Sequence, residues 1–129
     1  MAEPAGVAVV RVPVVGLAAG TSRAFEAPLP DGTREAGLVV RGADGVCRAF
    51  VNRCPHVPRY ALDFGDGEVI DARDGRIVCA NHGARFDVVT GVCASGPCLG
   101  RALLAWPCAE VDGVAEVVAS PLPADWPRG

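Results

Sequence analysis

The chain has 129 residues and a mass of 13.2 kDa, enough for one domain around a modest core. Half of the residues are hydrophobic and 21% are charged, which excludes a disordered or fibrous chain. The net charge of −3 and the pI of about 5.3 argue against nucleic-acid binding as the main role. All 12 basic side chains are Arg, so Schiff-base chemistry and a P-loop Lys are excluded.

The opening stretch, MAEPAGVAVVRVPVVGLAAG, lacks the features of an export signal. Its start carries Glu3 and no base, and Arg11 and Pro13 interrupt the apolar residues. No run approaches the roughly 20 apolar residues of a membrane span. The expectation is a cytoplasmic protein whose 6 Cys are reduced thiols or metal ligands, not a disulfide framework.

Short Val-rich runs punctuated by Gly and Pro predict an all-β chain. Val7 to Val12 reads as a first strand and Gly37 to Arg41 as a second. Alanines 18, 19 and 24 are ambiguous. Ala43-Asp44-Gly45 then turns the chain into Val46 to Asn52, because Asp-Gly tolerates the positive φ that tight hairpins require. A helical turn is expected near Asp63. Asp74-Gly75 precedes a strand from Arg76 to Cys79, and Thr90-Gly91 separates Phe86 to Val89 from Val92 to Ala94. Asp112-Gly113 joins a strand from Leu103 to Val111 to a last one, Val114 to Val118. The tail, SPLPADWPRG, is Pro-rich and predicts an extended strap over the sheet. The fold class is an all-β antiparallel sandwich, one domain over residues 1–129.

Two motifs carry the chemistry. Cys54-Pro55-His56 and Cys79-Ala80-Asn81-His82 contain both His of the chain, and 22 residues separate them. A zinc finger offers Cys-x2–4-Cys and then a His pair, whereas here each loop offers one Cys and one His. In a Rieske 2Fe–2S centre two Cys hold one iron and two His the other. Both metals remain open on ligand type alone.

The stretch from Asn52 to Leu99 resembles the Rieske 2Fe–2S family, with Cys-x-His in one loop and Cys-x-x-His-Gly in the next. Phe86-Asp87, Thr90-Gly91 and Ser95-Gly96-Pro97 follow in register, the last matching the family's third, covering loop. The resemblance implies one Rieske-type 2Fe–2S cluster, with Cys54 and Cys79 on the buried iron and His56 and His82 on the outer one. It places the cluster-binding loops at one end of the sandwich, in residues 52–100. The insert from Val57 to Val78, with Gly65-Asp66-Gly67, is expected to be a surface hairpin.

Departures from the pattern bear on redox chemistry. The extra Cys pair that forms a disulfide in cytochrome bc members falls at Arg59 or its neighbours and at Asn81, so that bridge is absent. The Ser and Tyr that donate hydrogen bonds to the sulfurs of high-potential members are replaced by Ala84 and Phe86. Such bonds stabilise the reduced cluster, so their loss lowers the potential. The resemblance therefore implies a low-potential, soluble Rieske-type ferredoxin.

Plainer expectations cover the remaining residues. Cys47 and Cys108 read as small buried hydrophobes, and Cys93 and Cys98 as free thiols flanking the Gly-Pro loop. Arg59 and Arg85 read as solvated charges or ion-pair partners of an Asp such as Asp63 or Asp87, with a partner contact as the functional alternative. Phe86 belongs to the core, Asp87 holds its loop through backbone hydrogen bonds, and Trp106 and Trp126 pack. The implied function is a one-electron carrier between a reductase and an oxygenase or similar oxidoreductase, with no nucleic acid, membrane or small-molecule pocket. The alternatives are a small cluster-bearing subunit, as in nitrite reductases, and a zinc-bound structural module. A self-contained oxygenase needs a second site with two His and a carboxylate, and both His are already used.

Overall fold

The computed structural model describes residues 6–55 and 60–123. Among them are ten strands and no helix. In chain order these are β1 (Ala8–Pro13), β2 (Thr21–Pro28), β3 (Arg34–Arg41), β4 (Cys47–Val51), β5 (Ile77–Val78), β6 (Arg85–Phe86), β7 (Cys93–Ser95), β8 (Ala105–Trp106), β9 (Cys108–Val111) and β10 (Val114–Ala119). They form three antiparallel sheets, ordered β1-β10-β9, β2-β3-β4-β8 and β5-β6-β7.

The middle sheet is buried on both faces, and its sequence shows why. Side chains alternate across a strand. In β3, Leu38 and Val40 enter one core while Val39 enters the other; in β4, Phe50 goes with the first and Ala49 and Val51 with the second. The core against β1 and β10 includes Val12, Val117 and Trp106. The opposite core, against the small β5-β6-β7 sheet, takes Leu38, Phe50, Ile77, Phe86 and the thiols of Cys54, Cys79, Cys93 and Cys98. The cluster-type motifs thus sit on the far side of the middle sheet from the chain termini's strands.

Several expectations need correction. Thr21–Pro28 forms a strand that pairs with β3 over its whole length, although its polar, Ala-containing sequence shows no clean alternation. The run from Leu103 to Val111 is split, because Pro107 has no N–H for a ladder: β8 pairs with β4 and β9 with β10. The strand from Phe86 to Val89 shrinks to Arg85–Phe86, since Asp87 starts a turn. No helical turn forms at Asp63, whose carboxylate instead accepts the N–H groups of Gly65 and Gly67 at 3.1 and 2.8 Å. Within the insert Ile70 bridges Ile77 antiparallel, and β2 packs against the same segment. Ser22 Oγ donates to the Gly67 carbonyl and accepts from Val69 N, so β2 holds the insert down.

Other features match. Asp112 and Gly113 turn at φ of 51° and 78°, as an Asp-Gly hairpin requires. Trp106 is buried and donates its indole N–H to the Ser120 carbonyl at 3.2 Å, and Leu122 of the tail is buried. Trp126 lies outside the described residues.

Candidate metal centre

The first loop leaves β4 through Asn52 and Arg53. Asn52 is only 7% exposed, and both ends of its amide are used. Its oxygen accepts Leu62 N–H at 2.8 Å and its nitrogen donates to Asp63 at 3.0 Å, closing the base of the insert. Arg53 forks onto Glu35 of β3 at 2.8 and 3.2 Å, which fixes the chain just before Cys54. Cys54 N donates to the Tyr60 carbonyl at 3.0 Å, and the Cys54 side chain is 1% exposed. Arg101 reaches across from beyond the third loop and donates to the Pro55 carbonyl at 2.9 Å. His56 and Arg59 lie outside the described residues.

The second loop joins β5 to β6. Cys79 N donates to the Ala84 carbonyl and Gly83 N to the Cys79 carbonyl, both at 2.9 Å, so the loop is closed on itself. Cys79 is 1% exposed, whereas His82 at the loop tip is exposed. Two bonds tie this loop to the insert: Ala80 N to the Leu62 carbonyl, and Asn81 Nδ2 to the Ala61 carbonyl at 2.8 and 3.1 Å. Ala84 and Phe86 are fully buried beneath it, Phe86 in the core as expected. Arg85 pairs with Asp71 and Asp74, not with Asp63 or Asp87, because the insert folds back alongside β6. Hydrogen bonds from Arg73 and then Arg85 hold the Asp71 carboxyl well below its ordinary value.

The third loop follows β7. Gly96 adopts φ of 100°, and a Cβ there would lie 2.8 Å from Ala84 Cα, so only glycine lets this loop rest on the second. Cys93 and Cys98, both buried, bring their sulfurs to 3.1 Å as free thiols. Burial, and next the hydrogen bond to Cys93, push the Cys98 thiol up. Asp87 accepts Val89 N and Thr90 N at 2.7 and 2.9 Å, the loop-holding role expected of it. Cys47 is buried, as expected; Cys108 is only partly so, and burial still raises its thiol to about 11.

The predicted site residues that are described therefore divide by environment. Cys54 and Cys79 share one buried core, and His82 stands at the surface. Soft thiolates inside and an imidazole outside form a donor set that fits a Rieske cluster, which needs two ligands on each of two irons. Among the described residues no three His, Cys, Asp or Glu side chains gather in the manner of a single-ion site. Sequence reading missed the supports of the first loop. Asn52, the Arg53–Glu35 fork and Arg101 act across long stretches of chain and leave no local pattern.

The Rieske 2Fe–2S domain profile matches residues 21–117, and the chain belongs to that family. That family and the likeness to Rieske ferredoxins support an electron carrier. Among solved structures the chain is similar to the ferredoxin of carbazole 1,9a-dioxygenase from Nocardioides aromaticivorans IC177. The identity is 29% and the TM-score 0.64, covering 84% of this chain and 95% of that one. A protein described as an NADH-dependent nitrite reductase small subunit from Mycobacterium tuberculosis shares the fold. There the identity is 18% and the TM-score 0.61, over 90% of this chain and 98% of that one. A quaternary ammonium Rieske monooxygenase with L-carnitine bound has 23% identity and a TM-score of 0.57. The match covers 78% of this chain but only 28% of that enzyme. No curated protein matches the chain. Among the described residues no helix is long and apolar enough to cross a membrane.

Proposed function

We propose that Cys54 and Cys79 hold one iron of the 2Fe–2S cluster and His56 and His82 the other, and that the chain is a soluble ferredoxin feeding an oxygenase. The carrying observation is the split environment of the motif residues, thiols 1% exposed against an exposed His82. The cluster supplies one-electron transfer when bound. The protein holds the thiolate side dry and rigid, and presents the imidazole side where a partner can approach. Leu99, 69% exposed on the third loop, offers apolar surface to a partner. The similarity to a dioxygenase's ferredoxin over 95% of that chain supports an oxygenase as acceptor, and a one-electron carrier needs a reductase as its donor.

Ala84 and Phe86 put no hydroxyl beneath the second loop, which supports a potential low in the Rieske range. The first test is elemental. Purified protein should contain two irons and two acid-labile sulfides per chain. Stoichiometric zinc in freshly prepared, natively expressed protein contradicts the assignment.

A second reading, a permanent small subunit of a larger oxidoreductase, is favoured by the shared fold with the nitrite reductase small subunit. Size-exclusion chromatography of native extract separates the two. A carrier elutes alone, and a subunit elutes with its larger partner.

A further inference from the structure

Cys93 and Cys98 take no part in the proposed ligand set, yet their placement is specific. Cys93 lies at the start of β7 and Cys98 at the end of the loop that covers the second cluster loop. Their side chains are 3% and 1% exposed. The Cys98 thiol donates to Cys93 Sγ at 3.1 Å, and the Cys93 thiol donates to the Ser95 carbonyl at 3.2 Å. The backbone holds both ends: Cys93 N donates to the Arg101 carbonyl at 2.7 Å and Arg101 N to the Cys98 carbonyl at 2.9 Å. Two isolated buried thiols need no such registration, since Cys packs well as a small hydrophobe in any neighbourhood.

We propose that Cys93 and Cys98 form a dithiol–disulfide couple, a two-electron redox site next to the one-electron cluster, whose co-reactant is a small-molecule disulfide. In the oxidising direction a thiolate of the pair attacks the external disulfide and releases one small thiol. The second sulfur of the pair then displaces the other. The S–S bond of the reagent breaks, the Cys93–Cys98 bond forms, and two electrons and two protons leave with the two small thiols. The neighbouring turn at Leu99 and Gly100 is exposed, while both sulfurs are buried. Reaction is therefore expected to be slow, while the bridged product is shielded from attack. The couple does not depend on which residues hold the irons, so its failure and that of the ligand assignment are read separately.

The holoprotein is equilibrated for hours in anaerobic glutathione buffers from fully reduced to fully oxidised. It is then quenched in acid, unfolded, alkylated and analysed by peptide mass spectrometry. The expected result is one cooperative transition in which the Cys93 and Cys98 peptide loses both alkyl groups and becomes two hydrogens lighter. Cys47 and Cys108 should remain singly alkylated. Cys98→Ser should abolish the lighter species, and Cys47→Ser should leave it unchanged. Two alkylatable thiols at Cys93 and Cys98 in the most oxidising buffer would overturn the proposal. So would separate glutathione adducts on each sulfur, or a bridge that survives Cys98→Ser. Visible circular dichroism on the same samples reports the cluster independently.

Discussion

Arg85 Nη2 lies 2.5 Å from Asp71 Oδ2 and 3.0 Å from Asp74 Oδ2, binding the strand after the second cluster loop to the far end of the insert. Asp71 and Asp74 both have carboxyls held below the ordinary value, Asp71 chiefly by Arg73 and Asp74 chiefly by Arg76 N–H. A depressed folded-state pKa contributes stability that is present above the unfolded value of about 3.9 and lost as pH falls through the folded one. Thermal midpoints should therefore hold steady down to about pH 5 and fall steeply below about pH 4. Arg85→Gln should lower the midpoint at neutral pH and flatten the acid decline, while leaving cluster content unchanged. Calorimetry from pH 7 to pH 2.5 measures both, and an unaltered acid profile in the variant contradicts this role.

Asn52 closes the base of the insert with two hydrogen bonds. Asn52→Leu strands the buried Leu62 N–H and removes a donor from Asp63. The cost is about 1–3 kcal/mol, the usual penalty for an orphaned buried polar group. Asp63 loses a partner that helps offset its burial and keep its carboxyl low. Asn52→Leu should show a lower denaturant midpoint and faster release of iron to a chelator. A midpoint equal to the wild type removes Asn52 from the account.

Gly96 and Gly45 separate backbone strain from close approach. Both have positive φ, 100° and 80°, but a Cβ at Gly45 meets nothing within 4 Å. Gly45→Ala should cost only about 1–2 kcal/mol, the left-handed penalty. Gly96→Ala adds a collision with Ala84 backbone and should cost more, with a disturbed visible circular dichroism spectrum. Equal costs would show that the third loop does not press on the second.

Much of this was legible in the chain. Asp-Gly turns, the buried Phe86 and the role of Asp87 follow from residue chemistry over a few positions. The motif residues stood out because the chain has only two His, each within three residues of a Cys. β2 was not readable: its faces are not separated by polarity, and only pairing with β3 makes Thr21–Pro28 extended. Arg85 was assigned acids near in sequence or motif, whereas the folding back of the insert brings Asp71 and Asp74 to it. Arg101 meets Pro55 across 46 residues, a relationship no local pattern carries.

The reduction potential tests the reading of Ala84 and Phe86. It should lie at roughly −150 to 0 mV, in the lower part of the Rieske range. Ala84→Ser with Phe86→Tyr should raise it, since added hydroxyls near the sulfurs stabilise the reduced cluster. Protein-film voltammetry measures this. A wild-type value near about +300 mV, at the top of the Rieske range, contradicts the reading.

The central claim is the mixed ligand set, and its rival is a 2Fe–2S cluster without histidine ligands. Electron–nuclear double resonance on the reduced protein, grown with nitrogen-15 histidine, separates the two directly. The account predicts strong coupling from two histidine nitrogens, with the two-histidine pattern lost in His82→Ala and kept in Cys93→Ser. Absence of histidine coupling in the wild type, with a 2Fe–2S cluster present, would contradict it.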